Sequence, residues 1–309
     1  MAALLALALL LPGVAWARLL VPMDLTQTDH LKAYGLAYWV LARDQRVEWL
    51  LNYRGGSFVM EEDPETIREA RIRGVLVQTV SAAGLASAYA EIEQANMDVI
   101  LLEKAPRVAI YIPPGFRPWD DAVTLAFTYA DIPFTAIWDE EVLSGGLNDY
   151  DWLHLHHEDF TGQYGKFYAS YRNADWYQAQ VRTYETQART LGFKKVSEEK
   201  KAVVEAIRDW VARGGFLFAM CSATDSFDIA LAARGIDICA PEYDGDPADQ
   251  ESNRTLDFSR TLAFAGFSLI MNPYQYEFSN IDMTALSLGR GEANDYFTLF
   301  EFSAKQDPV

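Results

Sequence analysis

The stretch FLFAMCSAT, residues 216–224, decides the fold that the sequence predicts. Its first five residues are apolar without interruption, as expected for a strand that is buried on both faces of a parallel sheet. The strand runs directly into Cys221, and a helix is predicted from about Asp225 to Ala233. A strand, a tight turn and a helix in succession place Cys221 at the carboxyl edge of the sheet, where open α/β folds bind ligands.

The residues around Cys221 fit the requirements of a nucleophile elbow. Such a turn brings backbones close together, so it needs small residues two positions before and two positions after the nucleophile. Ala219 and Ala223 occupy these positions, where glycine is more usual. The pattern predicts that Cys221 is a nucleophile and that the backbone N–H of Ser222 is an oxyanion donor. The other interpretation is a buried cysteine beside a ligand-binding rim, in a protein that forms no covalent intermediate.

Upstream of this stretch the chain alternates strands and helices, which is typical of a parallel sheet with helices on both faces. Further strands are predicted at residues 108–112, 134–138 and 152–156. A helix is predicted from Pro118, and a long insertion before residue 216 contains two more helices. The first of these two ends at Gly192, and the second is capped by Ser197.

The N-terminal third of the chain is less regular. Residues 18–105 are predicted to form a small α/β lobe that either extends the main sheet or packs on it, with residues 106–309 forming the main domain. Residues 1–17, MAALLALALLLPGVAWA, end in the small-x-small pattern of a signal peptidase site. We therefore predict an exported protein, periplasmic or extracellular, with no membrane contact after cleavage near Arg18. An uncleaved membrane anchor and a buried helix are the alternatives.

The segment HLHHED, residues 154–159, holds three of the four histidines of the chain and two carboxylates. Burying these groups costs several kcal/mol unless each finds a partner, so a purely structural role is disfavoured. The segment ends a predicted strand beside the elbow. We predict that His156 or His157 is the base for Cys221 and that Glu158 orients the imidazole.

A metal is the second interpretation of this segment, because His154 and His156 share one face of the predicted strand. A third zinc ligand would then come from Glu140, Glu141 or Cys221. No HExxH helix or second histidine cluster completes such a set, so we predict neither a metal nor a cofactor.

The order of strand, helix, strand, strand ending in HLHHED, helical insertion and strand into AMCSAT resembles the class I glutamine amidotransferase-like fold over residues 106–302. The resemblance implies a flavodoxin-like parallel sheet in a superfamily of amidases, proteases and inactive relatives. Amidotransferases of this superfamily use a Cys with a His and a Glu that follow it. All four histidines here precede Cys221. The resemblance therefore implies a Cys-dependent amide or acyl hydrolase with a base from another strand.

VPMDLTQTDHLKAYGLAYWVL and VEWLLNYRGGSF, residues 21–41 and 47–58, are similar to bacterial exported proteins labelled asparagine synthetase B. SGGLND, residues 144–149, also resembles the SGGxDS pyrophosphate loop of asparagine synthetases. Asn148 and Asp149 replace the Asp and Ser of that loop, and the preceding WDEE is not a buried strand. The synthetase is therefore the least favoured function.

The charge of the chain limits its partners. It has 44 acidic against 26 basic residues, a net charge of −18, and a nucleic-acid partner would need clustered Lys and Arg. Two acidic pairs, Asp139-Glu140 and Glu158-Asp159, border the predicted cleft and disfavour anionic substrates. Small-molecule, peptide and glycan ligands remain.

Four residues are predicted to contact such a ligand: Ser222, Gly115, Glu140 and Tyr164. Tyr164 lies in an aromatic stretch, residues 163–172, that follows HLHHED. This stretch supports the alternative function, a non-catalytic module that binds a glycan or a protein. The sequence leaves open whether Cys221 and Cys239 form a disulfide.

Overall fold

A computed structural model of the protein describes residues 17–114 and 122–281, with Gly289 and Gly291 beyond them. The predicted signal peptide, apart from Ala17, lies outside these residues, as do Gly115 and the predicted helix start at Pro118. Contacts divide the described residues into an N-terminal unit, residues 17–105 and 125–132, and a C-terminal unit made by the remainder. No helix within the described residues is both long enough and apolar enough to span a membrane.

The N-terminal unit contains a five-stranded antiparallel sheet. Its elements are β1 (Arg18–Val21), α1 (His30–Leu41), β2 (Val47–Leu51), β3 (Ser57–Glu61), α2 (Pro64–Arg73), β4 (Gln78–Val80), α3 (Ala82–Gln94) and β5 (Asp98–Leu102). The strand order is β4-β1-β3-β2-β5, and every pairing is antiparallel. The predicted lobe therefore has a sheet of its own and does not extend the parallel sheet.

Alternation of side chains along β1 gives this sheet two apolar faces. Leu19 and Val21 belong to the cluster that contains Leu36 of α1, whereas Leu20 packs in a second cluster with Ile92 of α3. Successive strand residues point to opposite faces, so β1 contributes to both clusters. The N-terminal unit is thus a sheet with helices on both sides.

The C-terminal unit is built on a four-stranded parallel sheet, which confirms the predicted parallel α/β core. From residue 106 onwards the elements are β6 (Val108–Tyr111), α4 (Ala122–Ala130), β7 (Phe134–Ile137), α5 (Asp139–Leu143), β8 (Trp152–Leu155), α6 (Tyr168–Tyr171), α7 (Asp175–Thr190), α8 (Val196–Ala212), β9 (Phe216–Ala219), α9 (Ser222–Ala232), α10 (Pro241–Asp244) and α11 (Ser252–Thr255). The strand order is β7-β6-β8-β9. All four predicted strands are present at the predicted places.

One face of this sheet carries the larger core of the protein. Leu153 and Leu155 of β8 pack there with Val203 of α8 and Phe227 of α9. On β9 the aromatic side chains of Phe216 and Phe218 are 58% and 47% exposed. The prediction of helices on both faces of the sheet is therefore not met at β9.

The two insertion helices differ slightly from the prediction. α7 ends just before Gly192, which adopts a φ of 87° as expected for a glycine that stops a helix. α8 begins at Val196, two residues earlier than a Ser197 cap would allow, and Ser197 is buried in its first turn. The N-cap position is Lys195, so Ser197 does not cap the helix.

Gly162→Ala is expected to destabilise the protein by roughly 2–4 kcal/mol, because it adds a steric clash to backbone strain. Gly162 has a φ of 84°, and a Cβ there would lie 2.8 Å from the Ser197 Cα. Gly192→Ala is the matched control, since Gly192 has a φ of 87° and no atom within 4 Å of the added Cβ. Urea denaturation of both variants measures the difference. Equal losses would show that the Ser197 contact relaxes.

Candidate functional site

The turn at Cys221 has the backbone conformation of a strained elbow. Cys221 adopts φ 54° and ψ −142° between β9 and α9, a region that non-glycine residues rarely occupy. Helix α9 begins at Ser222, so the predicted start at Asp225 was three residues late, because the chain enters the helix immediately after the Cys221 turn. Strain of this kind costs about 1–3 kcal/mol and clusters at active sites.

Hydrogen bonds fix the elbow against the end of β8. The Met220 N–H donates to the Leu155 carbonyl at 3.1 Å, and the Ala223 N–H donates to the His156 carbonyl at 3.3 Å. Ala223 is fully buried, which agrees with the small residue that the elbow requires at this position. Ser222 is the first residue of the helix, so its N–H has no intrahelical acceptor. An N–H of this kind can donate to an oxyanion.

The histidines of HLHHED lie beside the elbow in a different arrangement from the predicted strand alternation. The His154 ring is buried and stacks on Phe218 of β9, with ring centroids 5.5 Å apart. β8 ends at Leu155, so His156 and His157 lie in the following loop, and their ring centroids are only 4.1 Å apart. Their rings are therefore neighbours, although alternation would place them on opposite faces.

Glu158 holds the loop that carries these histidines. Its carboxylate accepts the backbone N–H of His156 at 2.6 Å. Its backbone carbonyl accepts the Ser226 hydroxyl of α9 at 2.8 Å. Glu158 thereby ties the end of β8 to the helix behind the elbow, whereas the prediction gave its carboxylate the task of orienting an imidazole.

A pocket of about 140 Å³ opens at the carboxyl ends of β6, β8 and β9. It is lined by Tyr111, Ile112, Pro113, Thr124, His157, Glu158, Asp159, Gly165, Phe167, Gln180, Tyr184, Cys221, Ser222 and Tyr276. Four predicted site residues therefore meet in one cavity: Cys221, His157, Glu158 and Ser222. His156, half-buried, adjoins this group through His157 but does not line the pocket.

Two of the predicted ligand-binding residues lie elsewhere in the structure, and a third cannot be placed. Glu140 is exposed on α5, away from the pocket lining. Tyr164 is buried in the core against Tyr177 and Tyr184 and has a φ of 52°, while its neighbour Gly165 lines the pocket. Gly115 lies outside the described residues.

Comparison with protein-family models, with curated proteins and with solved structures finds no match for this chain.

Of the aromatic residues in the pocket lining, Phe167 belongs to the predicted aromatic stretch 163–172, whereas Tyr111, Tyr184 and Tyr276 were not predicted as site residues. Tyr111 is the last residue of β6, and Tyr184 belongs to α7. Both were predicted to lie in these elements, but their shared pocket depends on how the strand and the helix pack. Tyr276 lies far along the chain, and nothing in its local sequence indicates a role.

A buried ion pair lies directly behind the tyrosines. The Lys200 ammonium donates to the Asp139 carboxylate at 2.6 Å and to the Tyr111 hydroxyl at 2.8 Å, and Tyr111 also donates to Asp139. The ammonium lies 5.0 Å from the Trp138 ring and 4.9 Å from the Tyr184 ring. Asp139 was predicted at the border of the cleft, but the structure places it wholly inside the core.

Glu199 is a second fully buried carboxyl group beside this pair. Burial raises the pKa of Glu199 to about 8, and the nearby Asp139 charge adds to the rise, while Lys200 opposes it. Glu199 is therefore protonated at neutral pH, and the Lys200–Asp139 pair is left as the charged part of the cluster.

The Glu199 proton makes the stability of the protein depend on pH. The pKa of Glu199 in the folded protein, about 8, lies above its ordinary value of 4.5. The raised pKa therefore contributes fully to the free energy of unfolding below pH 4.5, and this contribution is lost as pH rises to 8. We expect the loss to be on the order of 4 kcal/mol and to be absent from Glu199→Gln.

Urea denaturation at a series of pH values measures this difference between the native protein and Glu199→Gln. The control is Glu198→Gln, since Glu198 is the exposed neighbour on the same helix. Parallel pH curves for the native protein and Glu199→Gln would contradict a raised pKa.

The metal interpretation of HLHHED finds no third ligand in the described part of the chain. There, a group of three close potential ligands occurs at Asp237, Cys239 and Asp244. The Lys195 ammonium lies 2.5 Å from Asp237 and 3.2 Å from Asp244, so these carboxylates already form salt bridges with a lysine of the protein. Neither His154 nor His156 belongs to that group.

The remaining sequence features have simpler structures. Cys221 is exposed, Cys239 is buried with its thiol donating to the Thr161 carbonyl at 3.3 Å, and both are free. The SGGLND segment follows the short helix α5 and turns at Gly145 with a φ of 86°. A pyrophosphate loop would follow a strand, so the local structure differs from that of the synthetase.

Proposed function

We propose that the protein hydrolyses an amide or a related acyl bond with Cys221 as the nucleophile. The observation that carries this proposal is the Cys221 backbone conformation, φ 54° and ψ −142°, at a strand-to-helix turn that opens into a pocket. A purely architectural turn would favour glycine here, since glycine adopts positive φ without strain.

The strand order supports a flavodoxin-like, class I glutamine amidotransferase-like core for the same domain. Numbered from β6, the described strands follow the order 2-1-3-4, which agrees with the first four positions of the 2-1-3-4-5 order of such folds. The pocket is bordered by residues after β6 and β8, the two adjacent strands at which this order reverses direction.

The pocket geometry favours His157 over His156 as the base, because His157 lines the cavity with Cys221. In the proposed reaction His157 takes the thiol proton while the sulfur adds to the acyl carbon. The Ser222 N–H stabilises the negative oxygen, and His157 returns the proton to the leaving nitrogen as the C–N bond breaks. Water then adds to the thioester, releasing a carboxylic acid and the free thiol. Nothing is oxidised or reduced.

Alkylation by iodoacetamide near pH 6 tests this proposal without knowledge of the substrate. An ordinary thiol, with a pKa of about 8.5, is almost wholly protonated at that pH and reacts slowly. We expect rapid modification of Cys221 and none of buried Cys239, followed by peptide mass mapping. His157→Ala should slow the reaction by at least about tenfold, and His156→Ala by less. Reactivity that appears only near pH 8.5 would contradict an activated nucleophile.

A binding module on the same fold is the second candidate, and the aromatic lining of the pocket favours it. Phe167, Tyr184 and Tyr276 present large apolar surface to a ligand whether or not Cys221 reacts. Under this proposal the ligand is retained unchanged. Export to the periplasm or the cell exterior is compatible with both candidates and remains a prediction of the sequence.

A further inference from the structure

The charged side chains that the structure describes in the lining of the pocket beside Cys221 are all acidic. Glu158 and Asp159 line it, and no Lys or Arg does so among the residues that the structure describes. The nearest lysine in the same loop, Lys166, is buried and donates to the carbonyls of Ile270 and Asn272 at 2.7 and 3.1 Å. Its ammonium is therefore directed to the backbone of another segment.

A second lysine near the pocket, Lys200, is neutralised within the core. Lys200 lies behind Tyr111 and Tyr184, but its ammonium is paired with Asp139, and both side chains are almost wholly buried. This pair adds no net charge to the pocket. Among the described residues, the charge at the lining therefore comes mainly from the two carboxylates.

Both lining carboxylates are held in place by the backbone. Asp159 accepts the N–H groups of Thr161 at 2.7 Å and Gly165 at 2.8 Å. Glu158 accepts the N–H of His156 at 2.6 Å. Both carboxylate groups are thus positioned at the pocket before any ligand arrives.

The aromatic lining suits the same kind of ligand. Phe167 and Tyr276 both line the pocket, with ring centroids 6.0 Å apart. The face of an aromatic ring attracts a cation, and most strongly when the cation loses water on entering an apolar site.

The volume of the pocket limits the size of the group that enters. At about 140 Å³ it is close to an apolar cavity of about 150 Å³ that holds one benzene molecule. A small ammonium group fits this space, whereas a sugar chain or several peptide residues would extend outside it.

We propose that this pocket selects the substrate by a small cationic group, a primary or quaternary ammonium, bound against the rings of Phe167 and Tyr276 with Glu158 and Asp159 as counter-charges. The role of this cation as part of a substrate rests on the proposed function, since it would belong to the amide or ester that Cys221 attacks. Binding of the cation itself does not require that Cys221 react as a nucleophile.

Choline and its uncharged isostere 3,3-dimethylbutan-1-ol are the probes that test this inference. We measure how each slows the alkylation of exposed Cys221 in the full-length protein, at a pH where the thiol reacts with iodoacetamide. Choline should protect Cys221 with an affinity at least about tenfold higher than that of the isostere. Raising the salt to about 1 M should reduce the advantage of choline, because salt screens the carboxylates, and should not weaken the isostere.

Asp159→Asn is expected to weaken protection by choline about threefold or more, since it removes one counter-charge. The matched control is Asp209→Asn, because Asp209 is exposed on α8 and outside the pocket lining. If Asp159→Asn does not fold, the salt series on the native protein decides.

Equal protection by the two probes, or protection by neither, would overturn the inference. Its failure is distinguishable from failure of the proposed function. Protection by choline in a protein whose Cys221 lacks activated reactivity keeps the cation site and removes the hydrolase. Activated reactivity without selective protection does the reverse.

Discussion

Cys221→Ala is expected to lower the rate of amide or ester hydrolysis by at least about 10³-fold, because no other group supplies the nucleophile. Alanine keeps the backbone in place, and the exposed Cys221 side chain contributes little to packing. The variant should therefore unfold at nearly the same urea concentration as the native protein and still bind ligands. Hydrolysis of the cationic substrates proposed above, measured with purified protein, gives the comparison.

Cys221→Gly sharpens the same experiment. Glycine relieves the strain of φ 54° and ψ −142°, worth about 1–3 kcal/mol, but costs about 0.5–1 kcal/mol of backbone entropy. We expect a variant that is more stable than the native protein by about 1 kcal/mol and equally inactive. Retained turnover in either variant would exclude Cys221 as the nucleophile, and a less stable glycine variant would refute the strain.

The second large effect is expected from Lys200→Met, which should destabilise the protein by about 3–5 kcal/mol. Methionine has a similar volume but leaves the Asp139 carboxylate charged and without its ammonium partner in the core. Urea denaturation of the native protein and the variant measures the loss. We also expect Lys200→Met to weaken ligand binding in the pocket, since Tyr111 lines the pocket and accepts a hydrogen bond from Lys200.

A double variant separates the lost pair from lost packing. Lys200→Met combined with Asp139→Asn removes both charges, so it should be less destabilised than the sum of the two single variants. Arg254→Met is the matched control, because the Arg254–Glu251 pair is exposed and should contribute less than about 0.5 kcal/mol. Additive losses would show that Lys200 and Asp139 do not stabilise each other.

The main elements of the fold could be predicted because their signals are local. The apolar runs and the glycines around them located β6, β7, β8 and β9, and the small residues at 219 and 223 located the elbow. β1 and β4 were not predicted. They have four and three residues, and their pairing with each other depends on a partner far along the chain.

The site could be predicted only where it follows directly from a strand end. Cys221, Ser222, His157 and Glu158 meet because neighbouring parallel strands end at one edge. Glu199 and Lys200 resemble ordinary solvated helix residues in the sequence. Their burial depends on Asp139, which comes from the element after β7, so no local pattern shows it. Tyr164 was misplaced for a similar reason, because its burial against Tyr177 and Tyr184 depends on how α7 packs.

The pairing of β8 with β9 determines when the site can form during synthesis of the chain. Trp152 lies opposite Phe216 in this pairing, so the whole insertion, residues 156–215, must be made before β9 can dock. Closing such a long loop is slow relative to forming local helices. The nascent chain should therefore carry Cys221 as an unstrained thiol of ordinary reactivity. The proposed reactivity of Cys221 begins only when β9 joins the sheet.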